Sequence, residues 1–399
     1  MTAAWTEVRD ASLRMRNTFG VEATAPLLVE VADAAALPGV LARHAGDAPM
    51  LLGGGSNLLF VGNPPGAVIA LATRGIAMTE DGEVAIVRAD AGATWHEFVL
   101  WTLRHGLCGL ENLALIPGTV GAAPIQNIGA YGVEVRERIR AVEAFNRRDG
   151  AMVRLDNAAC GFAYRDSLFK RDPERFVVTA VEFALPRTPA LRLDYAGIGE
   201  ELAAMGVADP TPSQVADAVI RIRRRKLPDP AVLGNAGSFF KNPIVPAVQA
   251  EALHARHPSL PTFRGNDDGT RKLSAAWLID QCGWKGHREG DAGVAASHAL
   301  VLVNHGHATG MQLLDLARRI AASVRERFGA PRLALLPIGA YEPRWFMHPQ
   351  HMNPEEAVKA HLMLESRRSL AIHHGTIQLT DEAIDAPVVE PGYKLPRLA

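Results

Sequence analysis

The sequence predicts an α+β fold, and three features of its local pattern support this prediction. Short apolar runs of strand length, such as 67–71 and 84–89, alternate with stretches of helical periodicity. The longest helical stretch, 309–328, carries its apolar residues on one face. A glycine-rich loop at Gly53–Asn57 continues into the apolar, strand-like segment 58–61 instead of opening a helix.

The remaining elements follow from the same local rules. Further strands are predicted at 49–52, 176–183 and 299–303. A helix is predicted over 94–103, because Thr94 can cap its first turn and Gly106 follows its last. Another helix is predicted over 211–225, and the chain shows no internal repeat or low-complexity tract.

The bulk composition indicates a globular chain and excludes several classes of partner. The 399 residues suffice for two or three domains, and 48% hydrophobic with 21% charged residues is an ordinary globular composition. A formal net charge of −1 gives no general attraction to nucleic acid or to anionic membranes. The first residues lack a signal-peptide pattern, and no apolar stretch is long enough to span a bilayer. We therefore expect a cytoplasmic protein.

The cysteines suggest neither a disulfide framework nor a zinc site. Cys108, Cys160 and Cys282 are odd in number and far apart, and no two of them form a Cys-x-x-Cys pair. We expect buried free thiols and no bound metal.

Two glycine-rich segments indicate a phosphate-binding site. One is Gly53–Asn57, and the other runs from Pro117–Gly121 to Asn127–Gly132. Because glycine has no Cβ, its backbone N–H group can approach a phosphate closely, and a series of such N–H groups forms an anion-binding site. One loop alone would be interpreted as a tight turn, whereas two favour a diphosphate cofactor held from both sides. Neither the Rossmann Gly-x-Gly-x-x-Gly spacing nor a P-loop Gly-Lys-Ser/Thr accompanies these loops.

Two charged segments leave alternatives open. Arg165, within Tyr164–Ser167, either forms a structural ion pair with an aspartate or binds a substrate carboxylate or enolate through its guanidinium. The basic run Arg221–Lys226 either complements the C-terminal end of a helix or binds a substrate that carries a diphosphate.

Ser238 is the candidate proton donor. A serine hydroxyl is a poor acid unless its surroundings favour the alkoxide, and a nearby cation such as Lys226 or Lys241 could do this. A buried, hydrogen-bonded core serine is the more common case without that context, and the local sequence leaves both interpretations open.

From Asn17–Gly20 to about Phe328, the chain resembles the UDP-N-acetylenolpyruvoylglucosamine reductase (MurB) family of flavoenzymes. The resemblance rests on long motifs in one order along the chain, at 53–60, 109–118, 124–132, 164–167, 226–230, 234–243 and 277–281. It implies a two-lobed FAD-binding domain of the vanillyl-alcohol-oxidase (PCMH) type, followed by an α/β substrate-binding domain. The implied bounds are 1–76 and 77–227 for the lobes, 228–331 for the substrate domain and 332–399 for a tail.

The resemblance also implies a reaction and its cofactors. NADPH reduces FAD, and flavin N5 then transfers hydride to the enolpyruvyl group of UDP-N-acetylglucosamine enolpyruvate in peptidoglycan synthesis. By their match to the family, Ser238 protonates the carbon beside the carboxylate and Arg165 stabilises the developing enolate. The implied FAD-binding residues are Gly53, Gly54, Gly55, Ser56, Asn57, Gly118, Thr119, Asn127, Gly129 and Ala130.

A second set of matching residues implies a site for the UDP part of the substrate. These residues are Tyr195, Arg223, Lys226 and Asn242. Tyr195 matches the substrate-closing tyrosine of the family's longer subtype. The resemblance thus implies a cytoplasmic monomer that acts on a nucleotide-linked sugar, with no nucleic-acid or membrane partner.

The resemblance ends near the last predicted helix. The family continues with a strand that supplies a catalytic Glu, but here no carboxylate falls between Gly329 and Gly339, and Glu342 is the nearest. Residues from about 333 to 391 resemble instead a C-terminal fragment of metallo-β-lactamase-fold phospholipases of the N-acylphosphatidylethanolamine type. In that family a histidine matching His373 ligates a metal, but the motif that supplies the other ligands is absent from this chain. We interpret the tail as a foreign fragment without a metal.

Two alternatives to an active reductase remain open from the sequence. One is a flavin-binding homologue that is catalytically impaired because the Glu is missing. The other is a flavin oxidase of the same fold that acts on a small alcohol.

Overall fold

The computed structural model describes residues 3–47, 49–265 and 267–329, together with strands at 333–337 and 368–372. The chain separates into two compact units, Met1–Lys170 with Arg175–Ile320, and Arg171–Glu174 with Ala321–Ala399. Within the described residues the content is mixed, with helices and strands in similar measure, as an α+β fold requires.

A four-stranded sheet contains the first strands of the chain. Its members are β1 (Trp5–Ser12), β2 (Thr24–Val31), β3 (Met50–Leu52) and β4 (Val68–Leu71), in the order β1-β2-β4-β3. β1 and β2 are antiparallel, whereas β2 and β3 both run parallel to β4. Helix α1 (Leu37–Arg43) buries Leu37 and Val40 against the apolar residues of this sheet. β3 delivers the chain directly into the first glycine-rich loop.

A five-stranded antiparallel sheet follows. Its order is β10-β9-β11-β6-β5, with β5 (Ile76–Asp81), β6 (Val84–Asp90), β9 (Ile139–Asn146), β10 (Ala151–Asp156) and β11 (Phe176–Pro186). Between β6 and β9 lie helix α2 (Trp95–Arg104) and a small hairpin of β7 (Gly129–Ala130) and β8 (Val133–Glu134). This excursion from the sheet contains the second glycine-rich segment.

The main core packs helices on this second sheet. Phe98 of α2 lies 4.8 Å from Phe183 of β11 between ring centroids, and Trp95 joins the same cluster. Helices α3 (Leu168–Arg171), α4 (Ile198–Ala204) and α5 (Pro212–Lys226) follow. A capping box between Thr211 and Gln214 begins α5, and Pro212 occupies its first turn.

Two three-stranded sheets make up the next part of the chain. The first has the order β12-β14-β13, with β12 (Ile244–Pro246), β13 (Thr262–Arg264) and β14 (Thr270–Leu273). The second has the order β15-β16-β17, with β15 (Arg288–Glu289), β16 (Ala292–Val294) and β17 (Leu302–Asn304). Helices α6 (Ala247–Arg256), α7 (Ala275–Gln281) and α8 (Gly310–Phe328) accompany them. Beyond α8, β18 (Leu333–Pro337) and β19 (Arg368–Ile372) pair in parallel.

The predicted elements are largely confirmed, but the strand predicted at 299–303 begins only at Leu302, and one predicted strand-like segment does not form. The helices predicted at 94–103, 211–225 and 309–328 correspond to α2, α5 and α8. The strand-like segment 58–61 is irregular instead. Phe60 is buried there, and a Cβ on Gly310 would overlap the Phe60 carbonyl oxygen, so the segment packs against the start of α8 rather than joining a sheet. Among the described helices, none is long and apolar enough to cross a bilayer.

Candidate active site

The two glycine-rich segments meet in the folded chain. The Ser56 hydroxyl donates to the Pro117 carbonyl at 3.2 Å, and the Asn57 amide donates to the Gln126 side chain at 3.0 Å. A Cβ on Gly54 would lie 2.7 Å from the Gly118 Cα, closer than real Cβ contacts occur. The close approach of the two loops therefore requires glycine at position 54.

This junction presents a series of free backbone donors, which we call the cradle (residues 54–57, 118 and 119). Within the part of the chain that the structure describes, none of its N–H groups donates a hydrogen bond to the protein. Gly53 and Gly54 are exposed, and Gly118 has a left-handed φ of +116°. Free N–H groups on a surface without side chains suit the phosphates of a dinucleotide such as FAD. The cradle thus fits the cofactor that the sequence predicts.

Asn127 contributes to the second segment in a different way from the one its motif suggests. Its side chain is fully buried, and its amide nitrogen donates to Glu134 Oε2 at 3.0 Å and to the Ala163 carbonyl at 2.9 Å. Its amide oxygen accepts from the Arg136 N–H at 3.1 Å. The Asn127 backbone is also engaged, since its N–H donates to the Pro124 carbonyl at 3.2 Å. Asn127 therefore fixes the conformation of the loop and offers no free group to a ligand.

Arg165 is held by carbonyl oxygens instead of by a carboxylate. Its Nη1 donates to the Asn127 carbonyl at 3.3 Å, and its Nη2 donates to the Gly129 carbonyl. Its guanidinium carbon lies 5.5 Å from the ring centroid of Tyr164. These hydrogen bonds to carbonyl oxygens favour the interpretation of Arg165 as an anion-binding residue over that of a structural ion pair. Carbonyl partners orient the guanidinium and leave its positive charge available to an anion.

Two lysines add positive charge around Arg165. Lys170 Nζ donates to the Arg165 carbonyl at 2.9 Å, and Lys272 Nζ lies 4.8 Å from the ring centroid of Tyr164. Burial lowers the pKa of Lys170, and Lys241, which is within hydrogen-bonding reach, lowers it further. No local motif marks Lys170 or Lys272, because tertiary packing alone brings them to this position.

Ser238 lies on a well-fixed backbone with an exposed side chain. The adjacent Phe239 N–H donates to the Leu300 carbonyl at 2.8 Å, and Gly237 before it has a left-handed φ of +68°. Asn235 accepts from the Gly237 N–H at 3.0 Å and so secures the turn. The structure rules out a buried core serine at this position, since the side chain is exposed and no described residue is hydrogen-bonded to its hydroxyl.

The residues of the basic run Arg221–Lys226 have different partners and different exposure. Arg225 pairs with the buried carboxylate of Glu201, whose pKa this bond lowers. Arg223 lies close to the Tyr131 phenol and interacts with it electrostatically, and burial lowers the pKa of Arg223. Lys226 remains exposed at the end of α5.

Tyr131 links Arg223 to the exposed Tyr195. The two tyrosine rings meet edge to face with centroids 5.1 Å apart. Burial raises the pKa of the Tyr131 phenol, against the opposing effect of Arg223. The Asn112 amide donates to the carbonyls of Tyr131 and Arg192, both at 2.9 Å, and so joins the loops that carry the two rings. Neither Tyr131 nor Asn112 was among the site residues predicted from the sequence.

Four of the predicted residues are linked through Tyr131, which was not itself predicted. Arg165 contacts Gly129, which lies two residues before Tyr131, and Tyr131 contacts both Arg223 and Tyr195. Lys226 and Asn242 stand apart from this chain of contacts. Asn242 Oδ1 accepts from the Ala275 N–H at 2.9 Å at the start of α7, while Lys226 lies near His298, whose pKa is lowered by burial and then by Lys226. Glu342 and His373 lie outside the described residues.

The structure also describes the cysteines and the potential metal ligands. Cys108 and Cys160 are buried free thiols, and Cys282 is a partly exposed one. Burial raises the pKa of Cys160 to about 12. No three His, Cys, Asp or Glu side chains within the described ranges converge as a metal site would require.

Comparison with known proteins matches two family models to this chain. The C-terminal domain of UDP-N-acetylenolpyruvoylglucosamine reductase matches residues 229–331, and an FAD binding domain matches residues 27–156. Neither match extends into residues 332–399.

Curated relatives cover nearly all of the matched region. The UDP-N-acetylenolpyruvoylglucosamine reductase of Xanthomonas euvesicatoria is 59% identical over 327 residues, which is 81% of this chain and 93% of the relative. The reductase of the same name from Xylella fastidiosa is 56% identical over 331 residues, with 82% and 94% coverage. Among solved structures, the reductase of Thermus caldophilus is similar, with a TM-score of 0.56, 29% identity, and coverage of 80% of this chain and 94% of that one.

Proposed function

Since the chain belongs to the UDP-N-acetylenolpyruvoylglucosamine reductase family, we propose that it reduces UDP-N-acetylglucosamine enolpyruvate to UDP-N-acetylmuramate with NADPH, in peptidoglycan synthesis. The observation that carries the proposal is Arg165, a guanidinium whose hydrogen bonds, in the part of the chain that the structure describes, go to the carbonyls of Asn127 and Gly129. A cation whose hydrogen bonds go to neutral carbonyl oxygens keeps its charge available and so suits a substrate that is itself a carboxylate.

The cradle would hold FAD without a covalent bond. The free N–H groups of residues 54–57, 118 and 119 would bind its phosphates, with Gly53, Asn127, Gly129 and Ala130 shaping the surrounding loops. When bound, FAD supplies the chemistry of accepting hydride from NADPH and delivering it to the enolpyruvyl group. The protein's part is to position both substrates in turn and to control charge and protons.

Arg165 would stabilise the negative charge that develops on the enolate during reduction. Its orientation is fixed before the reaction by two carbonyls, so little reorganisation is needed when that charge appears. Ser238 would donate the proton to the carbon beside the carboxylate. Lys241, three residues further along the chain, would favour an ionised serine hydroxyl if its charge faces Ser238, and this would make proton transfer easier.

The UDP part of the substrate would contact Tyr195, Lys226 and Asn242. Lys226 is an exposed cation suited to a diphosphate, and Tyr195 is half exposed beside Tyr131. Arg223, whose guanidinium lies close to the Tyr131 phenol, would act by holding the tyrosine pair. This arrangement supports assignment to the longer, tyrosine-loop subtype.

The domain division 1–76, 77–227, 228–331 and 332–399 belongs to the same proposal. It is supported by the first sheet, which ends at Leu71, and by the second, which begins at Ile76. We further propose a cytoplasmic monomer, and a tail from 332 onward that is a foreign fragment. Because the chain has no carboxylate between Gly329 and Gly339, turnover is expected to be slow.

Stopped-flow measurements on purified holoprotein test the function against both alternatives. A reductase shows NADPH-dependent bleaching of the flavin, followed by reoxidation on addition of UDP-N-acetylglucosamine enolpyruvate. Hydrogen peroxide formed from a small alcohol, with no reoxidation by the nucleotide sugar, would establish an oxidase instead. Bleaching with no turnover at any substrate concentration would establish an impaired flavin-binding homologue.

A further inference from the structure

The first turn of α2 is bonded to the segment that leads into the cradle. The Trp95 N–H donates to the Gly118 carbonyl at 3.0 Å, and the Trp95 indole donates to the Leu113 carbonyl at 2.9 Å. His96 Nδ1 accepts from the Leu115 N–H at 3.0 Å. One helix turn therefore secures the segment 113–118 at three successive points.

Leu115 is the strained member of this segment. Its φ of +57° lies in the left-handed region, which a non-glycine residue adopts only when its surroundings determine it. Among the described residues, His96 is the hydrogen-bond partner of the Leu115 N–H. Two residues later, Pro117 accepts the Ser56 hydrogen bond that joins the two loops.

We propose that His96 is a positioning residue for the cofactor, whose neutral imidazole holds Leu115 in its left-handed conformation and thereby aligns Gly118 and Thr119 with the loop 54–57. The inference rests on the proposed function in one respect, namely that FAD is the ligand of the cradle. His96 itself need not touch the cofactor, because it acts through Leu115.

The proposal requires a specific protonation state. Nδ1 can accept from an N–H only while it carries no proton, so the proton of the neutral ring resides on Nε2. The groups that face His96 favour this state: burial lowers its pKa, Arg224 and Arg223 of α5 lower it further, and Glu97 of α2 opposes them. Protonation would place two N–H groups against each other and release Leu115.

The sign of the pH effect follows from the direction of the shift. The folded-state pKa of His96 lies below its ordinary value of 6.5, so the bond is intact at neutral pH and is lost as the pH falls through that lowered pKa. FAD affinity is therefore expected to decrease on acidification while the protein remains folded.

Equilibrium dialysis of FAD against the full chain, followed by flavin fluorescence from neutral to acidic pH, tests the proposal. His96→Ala is expected to bind FAD about tenfold more weakly at neutral pH, the effect of losing one positioned hydrogen bond. It should also lack the acidic loss of affinity. His96→Asn should recover affinity at neutral pH, because Asn Oδ1 occupies the place of Nδ1, and should show no acidic loss because an amide does not titrate.

His105→Ala is the matched control, since His105 is exposed just beyond the other end of α2. It should behave as the unmodified chain. Equal FAD affinity and equal pH dependence in His96→Ala and the unmodified chain would overturn the role of His96. If the unmodified chain itself binds no FAD at any pH, the cofactor assignment under the proposed function is what fails. If His96→Ala folds poorly, His96→Asn alone tests the proposal. An FAD affinity that does not change with pH in His96→Asn would support the role of His96, and the same acidic loss as in the unmodified chain would overturn it.

Discussion

The cofactor side and the substrate side of the candidate site are built by different means. On the cofactor side, backbone groups of residues 54–57, 118 and 119 form the surface, and a Cβ on Gly54 would collide with Gly118. On the substrate side, side chains carry the candidate chemistry, and Ser238, Lys226 and Tyr195 are exposed. Binding of FAD therefore depends on the shape of the cofactor side, whereas turnover depends on charge and proton transfer on the substrate side. Mutations in the two regions should separate binding of FAD from turnover.

The largest separation is expected from Ser238→Ala. Turnover should fall by about 10³-fold, the usual range for loss of a positioned proton donor, while FAD content and NADPH-dependent flavin reduction stay unchanged. Rapid-mixing absorbance measures the two half-reactions separately. Equal slowing of both would mean that Ser238 maintains the loop instead of donating a proton.

The tail gives the next largest effect, in the opposite direction. Replacing residues 332–399 with a family-type Leu-Glu-Pro-Glu-Val ending should raise turnover by about 10²-fold, because it restores a carboxylate that assists proton transfer. Flavin content should not change. If the unmodified chain already turns over as fast as the repaired one, the argument from the missing Glu is wrong.

Gly54→Ala should affect the cofactor side alone. The added Cβ would lie 2.7 Å from the Gly118 Cα, so the two loops would have to move apart. Such overpacking typically destabilises the packed arrangement by about 1–3 kcal/mol. FAD should bind about 10- to 100-fold more weakly, as fluorescence titration would show. Gly62→Ala is the matched control, because a Cβ there has no neighbour within 4 Å. A similar loss of affinity in both variants would contradict the steric explanation.

The smallest effect is expected from Tyr131→Phe, which removes the phenol that interacts with Arg223 and keeps the ring against Tyr195. The KM for the nucleotide sugar should rise by about three- to tenfold, with kcat and FAD affinity little changed. Steady-state kinetics with a flavin titration measures all three quantities. A fall in kcat at unchanged KM would place Tyr131 in the chemistry instead of in positioning.

The sequence predicted segments of this site better than it predicted their partners. The glycine loops and Arg165 were identified from local motifs, and the α+β class from periodicity. The two interpretations of Arg165 differ only in what surrounds it, and the surrounding carbonyls come from residues near position 128 that are distant in sequence. For the same reason, apolar content alone predicted a strand at 58–61, where packing against Gly310 gives irregular structure.

By itself, the sequence determined where the chain can approach a phosphate closely, since glycine permits that backbone, and where the helices α2, α5 and α8 lie. It also determined that the carboxylate expected after Gly329 is missing. Only the tertiary structure brought together the Ser56 hydroxyl with the Pro117 carbonyl, and His96 with the Leu115 N–H. It also placed the charges of Lys170 and Lys241 close to each other. The physical reason is that local propensity depends on neighbours along the chain. Hydrogen bonds, burial and charge depend on neighbours in space, which folding brings together.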